Sequence, residues 1–149
     1  MRVARLSIEN FRSIAKAELQ FTGHTLLIGG NNVGKSTICE ALDLVLGPDR
    51  LNRTPPVEEF DFRNANYLAA DGETAAPLRI EAVLIELTDT IKSLCAANLE
   101  FWHKTEKRLL AEGEIAVADN PNVELCLRLV TIARYDIDED QFVARTVYG

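Results

Sequence analysis

No stretch of this sequence reaches the roughly 18 consecutive apolar residues that a membrane-spanning helix needs, so no membrane partner is expected. The N-terminus also lacks the unbroken apolar core of a signal peptide. Arg2, Arg5 and Glu9 stand among alternating apolar positions there, which is strand-like and points to a cytoplasmic protein. Cysteine is scarce. Cys39, Cys95 and Cys126 are far apart and have no C-x-x-C spacing, so neither a disulfide framework nor a zinc site is supported, and buried free thiols are expected. There is no excess of positive charge. The net charge of -7 argues against a broad basic surface for nucleic acid, whose non-specific affinity comes from Lys and Arg neutralising phosphates. Arg2, Arg5, Arg12 and Lys16 form a short basic stripe, but Glu9 and Glu18 interleave with it, as on a solvated strand pair. Internal repeats and low-complexity tracts are absent as well.

What is present is a chain of 149 residues, 47% hydrophobic and 26% charged, sufficient for one globular domain or part of one. Its most specific feature is Gly29-Gly30-Asn31-Asn32-Val33-Gly34-Lys35-Ser36, a complete match to G-x-x-x-x-G-K-[ST]. Gly29 and Gly34 allow the backbone to curl without a Cβ clash, so that successive N–H groups converge on phosphate oxygens. Lys35 is expected to reach the β- and γ-phosphates, and the Ser36 hydroxyl to take one position on Mg²⁺. Thr37 falls inside the first turn of the following helix. Such a loop needs a strand before it and a helix after it. His24 to Ile28 is a short apolar, β-prone run, and Ile38, Ala41, Leu42 and Val45 recur at helical spacing in Ser36 to Leu46, stopped by Gly47-Pro48.

Elsewhere, period-two alternation predicts antiparallel strands over Val3 to Phe11 and Ala17 to Phe21. Pro48 to Glu59, with Pro55-Pro56, reads as a loop without regular hydrogen bonding near the nucleotide pocket, closed by Phe60-Asp61-Phe62. Ala69 to Thr74 reads as an exposed turn. Leu78 to Leu87 is predicted as a strand with mixed, partly exposed faces. Thr88-Asp89 is a plausible N-cap for a long helix reaching Gly113, with Ile91, Leu94, Cys95, Leu99, Trp102 and Leu109 as its apolar stripe. Val123 to Arg134 and Gln141 to Tyr148 look like a hairpin across Asp136 to Asp140.

Other constellations are weaker. Asp136-Ile137-Asp138-Glu139-Asp140 supplies the early oxygens of a calcium loop, but Gln141 stands where a sharp turn needs Gly and Val147 where a bidentate Glu is needed. His24, at a strand start, and His103, in the predicted helix, have no partner at ligand spacing and read as structural, as Trp102 reads as core. A hydrolysing site also needs an acid at the end of a second apolar strand. The nearest run, Val130 to Asp136, is interrupted by Arg134 and continues into an acidic turn, so the chain reads as nucleotide-binding without complete hydrolytic machinery.

Ile8-Glu9-Asn10-Phe11-Arg12-Ser13-Ile14 ahead of Gly29 to Thr37 resembles the N-terminus of ABC-type ATPases of the RecF and SMC kind. The Asn31-Asn32 pair, Leu46-Gly47 and Phe60-Asp61-Phe62 resemble the OLD-family ATP-dependent endonucleases in particular. That resemblance implies an α/β fold, the N-terminal lobe of an ABC-type ATPase domain, with a mixed sheet of antiparallel strands, a phosphate-loop strand and two main helices. It implies that Asn31, Gly34, Lys35, Ser36 and Thr37 contact phosphates or Mg²⁺, with Gly29, Gly30, Asn32 and Val33 in the same loop, and that Arg12 and Ser13 approach the nucleotide. Asp61 receives no role. Relatives continue to a signature motif, a magnesium acid, a switch His and a Toprim nuclease domain, none of which occurs here, so residues 1–149 are expected to be an N-terminal excerpt. The parent is expected to form a head-to-tail homodimer that couples ATP to DNA cleavage in DNA repair or phage defence, with DNA held by parts outside this chain. A RecF- or SMC-like repair or chromosome protein without nuclease activity is the alternative. A self-contained phosphate-loop kinase needs an acceptor site, a lid and a magnesium acid within these residues, and the two leading strands and missing acid speak against it.

Overall fold

The structure, a computed structural model, describes residues 1–22, 34–47, 49–114 and 120–149. The alternating N-terminus folds as expected into β1 (Arg2–Phe11) and β2 (Ile14–Gln20), paired antiparallel with Leu6 opposite Leu19 and Phe11 opposite Ile14. The link is tighter than the sequence suggested, since only Arg12 and Ser13 separate the strands, and Arg12 takes a left-handed φ of 51° to make the turn. Alternation buries Leu6 and Ile8 on one side of β1, while a register shift between Val3 and Arg5 puts Ala4 on the other side with Val83, Ile85 and Trp102.

Five further strands complete the sheet: β3 (Leu78–Ile85), β4 (Leu99–His103), β5 (Arg108–Leu109), β6 (Val123–Asp136) and β7 (Gln141–Tyr148). Their order is β2-β1-β3-β6-β4-β5, with β7 also on β6, and every pairing among the described residues is antiparallel. The expected phosphate-loop strand at residues 24–28 lies outside the described residues. The long β6 gives its first half to β4 and its second half to β7, while β3 runs along its other side. The expected hairpin of β6 and β7 is thus present, with Asp136 opposite Gln141.

The helix α1 (Lys35–Leu46) covers one face of this sheet. Thr37, Ala41, Leu44 and Val45 are its buried residues, and Ala41, Leu44 and Val45 share a core with Leu6, Ile8, Phe11, Leu78, Ile80 and Ala82. Each large apolar side chain buried in this way contributes about 1.5–3 kcal/mol. The helix ends at Gly47, whose N–H donates to the Asp43 carbonyl at 2.7 Å with φ -72°, so this glycine is extended rather than left-handed.

The structure corrects several expectations. β3 is buried on both faces rather than partly exposed, because Leu78, Ile80 and Ala82 pack under α1, Val83 and Ile85 pack with Trp102 and Cys126 on the other side, and its polar Glu81 is neutralised by arginines. The long helix from Thr88 to Gly113 is not formed. Thr88 does cap a helix, its hydroxyl accepting from Ile91 N–H at 3.3 Å, but α2 (Asp89–Leu94) is short. Leu94 is exposed, and the aromatic run Leu99 to His103 becomes β4. Strand alternation lets Leu99 pack with Leu84 and Leu127 while Trp102 packs with Val83, Ile85 and Cys126 on the other face, which a single helical stripe cannot do. His103 therefore lies on a strand, where its Nδ1 accepts from Glu106 N–H at 3.1 Å. The loop after α1 contains 3-10 turns at Arg50–Asn52 and Glu59–Asp61 instead of lacking regular bonds. Of the thiols, Cys126 is buried, Cys95 half-buried and Cys39 exposed.

Candidate functional site

The site is built on the first turns of α1. Gly34 caps the helix with φ 83° and ψ -2°, a left-handed conformation that disfavours any side chain although a Cβ there would meet nothing within 4 Å. Conformation, not space, requires glycine. The first intrahelical bond runs from Ile38 N–H to the Gly34 carbonyl at 2.9 Å. No acidic residue stands in the first turn, so nothing on α1 there competes with an incoming anion for the partial positive charge of the helix end. Ser36 is exposed and Thr37 buried, and Lys35, Ser36, Cys39 and Glu40 line one open cavity of about 360 Å³. Gly29, Gly30, Asn31, Asn32 and Val33 lie outside the described residues.

Arg12 reaches this helix from the β1–β2 turn. Its guanidinium stands 3.8 Å from Glu40 of α1, and it lies over the rings of Phe11 and Phe60 at 5.4 and 5.8 Å. Its Nε and one terminal nitrogen both donate to Asp61 Oδ1, at 3.1 and 3.0 Å, and its backbone N–H donates to the Asp61 carbonyl at 2.8 Å. Ser13, next in the turn, is exposed. The structure thus brings Arg12 to the helix that carries Lys35 and Ser36.

Asp61, given no role from the sequence, is the hinge of this arrangement. It is 1% exposed, and a carboxylate so buried is tolerated only when paired and hydrogen-bonded. Its Oδ2 accepts from Glu58 N–H at 2.9 Å and lies 3.9 Å from Arg50. Arg50, 9% exposed, also lies 3.7 Å from Asp43 and so ties the far half of α1 to the same carboxylate. The signal that could have been read was an acid set between two aromatics in Phe60-Asp61-Phe62, with Glu58 three residues earlier completing a capping box.

A second charged cluster occupies the sheet face away from α1. Glu81, 6% exposed, accepts from Arg5 and Arg79 at 2.7 Å each, and Arg128 stands 3.7 Å from it while donating to Glu100 at 2.8 and 3.0 Å. Burial alone would raise the Glu81 pKa, but the hydrogen bonds and charges of Arg79 and Arg5 outweigh it and leave the carboxyl below its ordinary value. This network satisfies charge inside the sheet.

The remaining sequence candidates are structural in their contacts. Asp136 Oδ1 accepts from Glu139 N–H within the hairpin turn, and no group of three metal-ligating side chains gathers among the described residues. The run from Val130 to Asp136 lies within β6, between β3 and β7. No helix among the described residues is long and apolar enough to cross a membrane.

Comparison with known proteins adds the wider setting. Residues 1–130 match the model of the AAA ATPase domain. An uncharacterized Mycobacterium tuberculosis protein is 42% identical over 164 residues, covering 91% of this chain and 18% of that protein. The DNA double-strand break repair Rad50 ATPase of Methanopyrus kandleri is 34% identical over 79 residues, 52% of this chain and 8% of its own length. The DNA replication and repair protein RecF of Mannheimia succiniciproducens is 46% identical over 43 residues, 28% of this chain and 12% of its own. The chain spans less than a fifth of the length of each of these three relatives.

Proposed function

We propose that this chain, which belongs to the AAA ATPase domain family and has ABC-type relatives in Rad50 and RecF, is the nucleotide-binding N-terminal part of a larger ATPase. The observation that carries this is the left-handed Gly34 opening α1 at Lys35, inside a complete G-x-x-x-x-G-K-S sequence. Gly29 to Thr37 cradle the phosphates of ATP, Lys35 draws on the β- and γ-phosphates, and Arg12 and Ser13 approach from the β1–β2 turn. The exposed Ser36 hydroxyl is a hard oxygen donor in the same cavity as Lys35, which suits Mg²⁺. When bound, that ion neutralises charge on the β- and γ-phosphates.

For the parent protein, Asn31-Asn32 and Phe60-Asp61-Phe62 support an OLD-like ATPase that couples ATP binding and hydrolysis to DNA cleavage by a Toprim nuclease. The likeness to Rad50 and RecF is equally compatible with a DNA repair or chromosome ATPase without nuclease activity. In both readings the parent pairs head to tail as a cytoplasmic homodimer and holds DNA through parts outside this chain. Residues 1–149 alone bind ATP weakly and turn it over negligibly, because the partner motif and magnesium acid are missing. Calorimetry with Mg-ATP on this chain and on Lys35→Ala tests the reading, and equal affinity for both proteins sinks the role given to Lys35.

A further inference from the structure

We propose that Asp61 is the positioning residue for Arg12, fixing its guanidinium beside Glu40 in the second turn of α1 for contact with the nucleotide; the assignment rests on the reading of Gly29 to Thr37 as a phosphate cradle. An arginine at an exposed turn ordinarily samples many rotamers, and ordering it weakens any ligand contact it makes. Here that ordering is done in advance. The Asp61 carboxylate is buried and held by Glu58 N–H through Oδ2, which leaves Oδ1 as a fixed acceptor for Arg12 Nε and a terminal nitrogen. The backbones are tied as well, by the Arg12 N–H bond to the Asp61 carbonyl and by a bridge between Phe11 and Phe62.

Two features separate this grip from a plain structural ion pair. Asp61 engages the guanidinium from one edge, and a guanidinium carries more N–H donors than that edge uses, so donors remain for an anion. The guanidinium is also 3.8 Å from Glu40, and the two line one cavity, while Glu40 lines the neighbouring cavity of Lys35 and Ser36 as well. Glu40 is itself 42% exposed in its side chain, so its pull is screened and the buried Asp61 governs the orientation. An Arg aimed in this way contributes a charge-assisted hydrogen bond to phosphate.

A double-mutant cycle on the 149-residue chain tests the assignment, with Mg-ATP affinity and melting temperature measured for wild type, Lys35→Ala, Arg12→Ala, Asp61→Asn and the Arg12→Ala/Asp61→Asn pair. Arg12→Ala and Asp61→Asn are each expected to weaken Mg-ATP binding about tenfold, the effect of one charged hydrogen bond. Asp61→Asn should add nothing in the Arg12→Ala background, an outcome that a merely structural role does not produce. A full further loss in that background overturns the assignment, as does an unchanged affinity of Asp61→Asn beside a weakened Arg12→Ala. Equal binding by wild type and Lys35→Ala instead overturns the cradle reading itself, and the site served by Asp61 with it. Should Asp61→Asn fail to fold, Arg12→Lys replaces it. Lysine keeps the charge but loses the fork that Asp61 orients, so binding should fall nearly as far as with Arg12→Ala, and full affinity overturns the assignment.

Discussion

The hydroxyls of Thr131 on β6 and Thr146 on β7 lie 2.6 Å apart on the face of the sheet that carries α1, with Thr131 fully buried. Each is the other's hydrogen-bond partner, and Thr146 is half-buried. Replacing Thr146 by Val keeps the shape and strands the buried Thr131 hydroxyl, at a cost of about 1–2 kcal/mol, whereas Thr131→Val leaves only the half-buried Thr146 hydroxyl and should cost less. The Thr131→Val/Thr146→Val pair should recover most of that loss, and thermal melts of the three variants measure it. Additive losses in the pair would show that the bond is not the source.

Acid should weaken the other face of the sheet. The folded pKa of Glu81 is lowered from 4.5, so its contribution is present above the unfolded pKa and is lost as the pH falls through the lower folded value. Urea unfolding at neutral pH should find Glu81→Gln less stable by about 1–3 kcal/mol, since it leaves Arg5 and Arg79 without their carboxylate. The deficit should shrink as the pH falls below about 4.5. A deficit that stays constant across that window contradicts the assignment.

The three thiols should react in an order set by their surroundings. Burial, reinforced by the carboxylates of Glu100 and Glu124, pushes the Cys126 thiol up to about 12, whereas Cys39 is exposed on α1. Alkylation mapped by mass spectrometry at neutral pH should modify Cys39 first and Cys126 only after unfolding. Because Cys39 shares a cavity with Lys35 and Ser36, Mg-ATP should slow its modification in the wild type and not in Lys35→Ala.

Two glycines should respond differently to alanine. A Cβ on Gly47 would stand 2.3 Å from the Asp43 carbonyl oxygen and 2.7 Å from its Oδ1, so the end of α1 must shift, costing about 1–3 kcal/mol. At Gly72, with φ 70° and nothing within 4 Å, only the left-handed backbone resists, at about 1–2 kcal/mol. A Gly47→Ala melting temperature equal to that of the wild type would refute the packing argument.

The parts of the fold that were legible from sequence are those in which a single periodicity was possible. Val3 to Phe11 alternates cleanly, and Ile38, Ala41 and Val45 fit only a helix. The segment after Leu94 satisfied two patterns at once. Leu99 and Trp102 are three apart, as on a helix stripe, yet they also fall on opposite faces of a strand, and only tertiary pairing with β6 decides between the two. Resemblance implies only that Arg12 approaches the nucleotide, whereas Asp61 is invisible in the sequence because its importance lies in burial and in partners distant in the chain, Arg12 and Arg50. The motif glycines, by contrast, announce themselves through backbone chemistry that any sequence displays.

The β1–β3 ladder, in which Ile8 meets Ile80 and Leu6 meets Ala82, closes a loop that contains the whole of α1. On a growing polypeptide α1 therefore emerges long before the strand that completes the floor beneath it. A chain halted ahead of Leu78 carries all of α1 while Leu6, Ile8 and Leu44 still lack Ile80 and Ala82, so the helix is translated early but its core is complete only late.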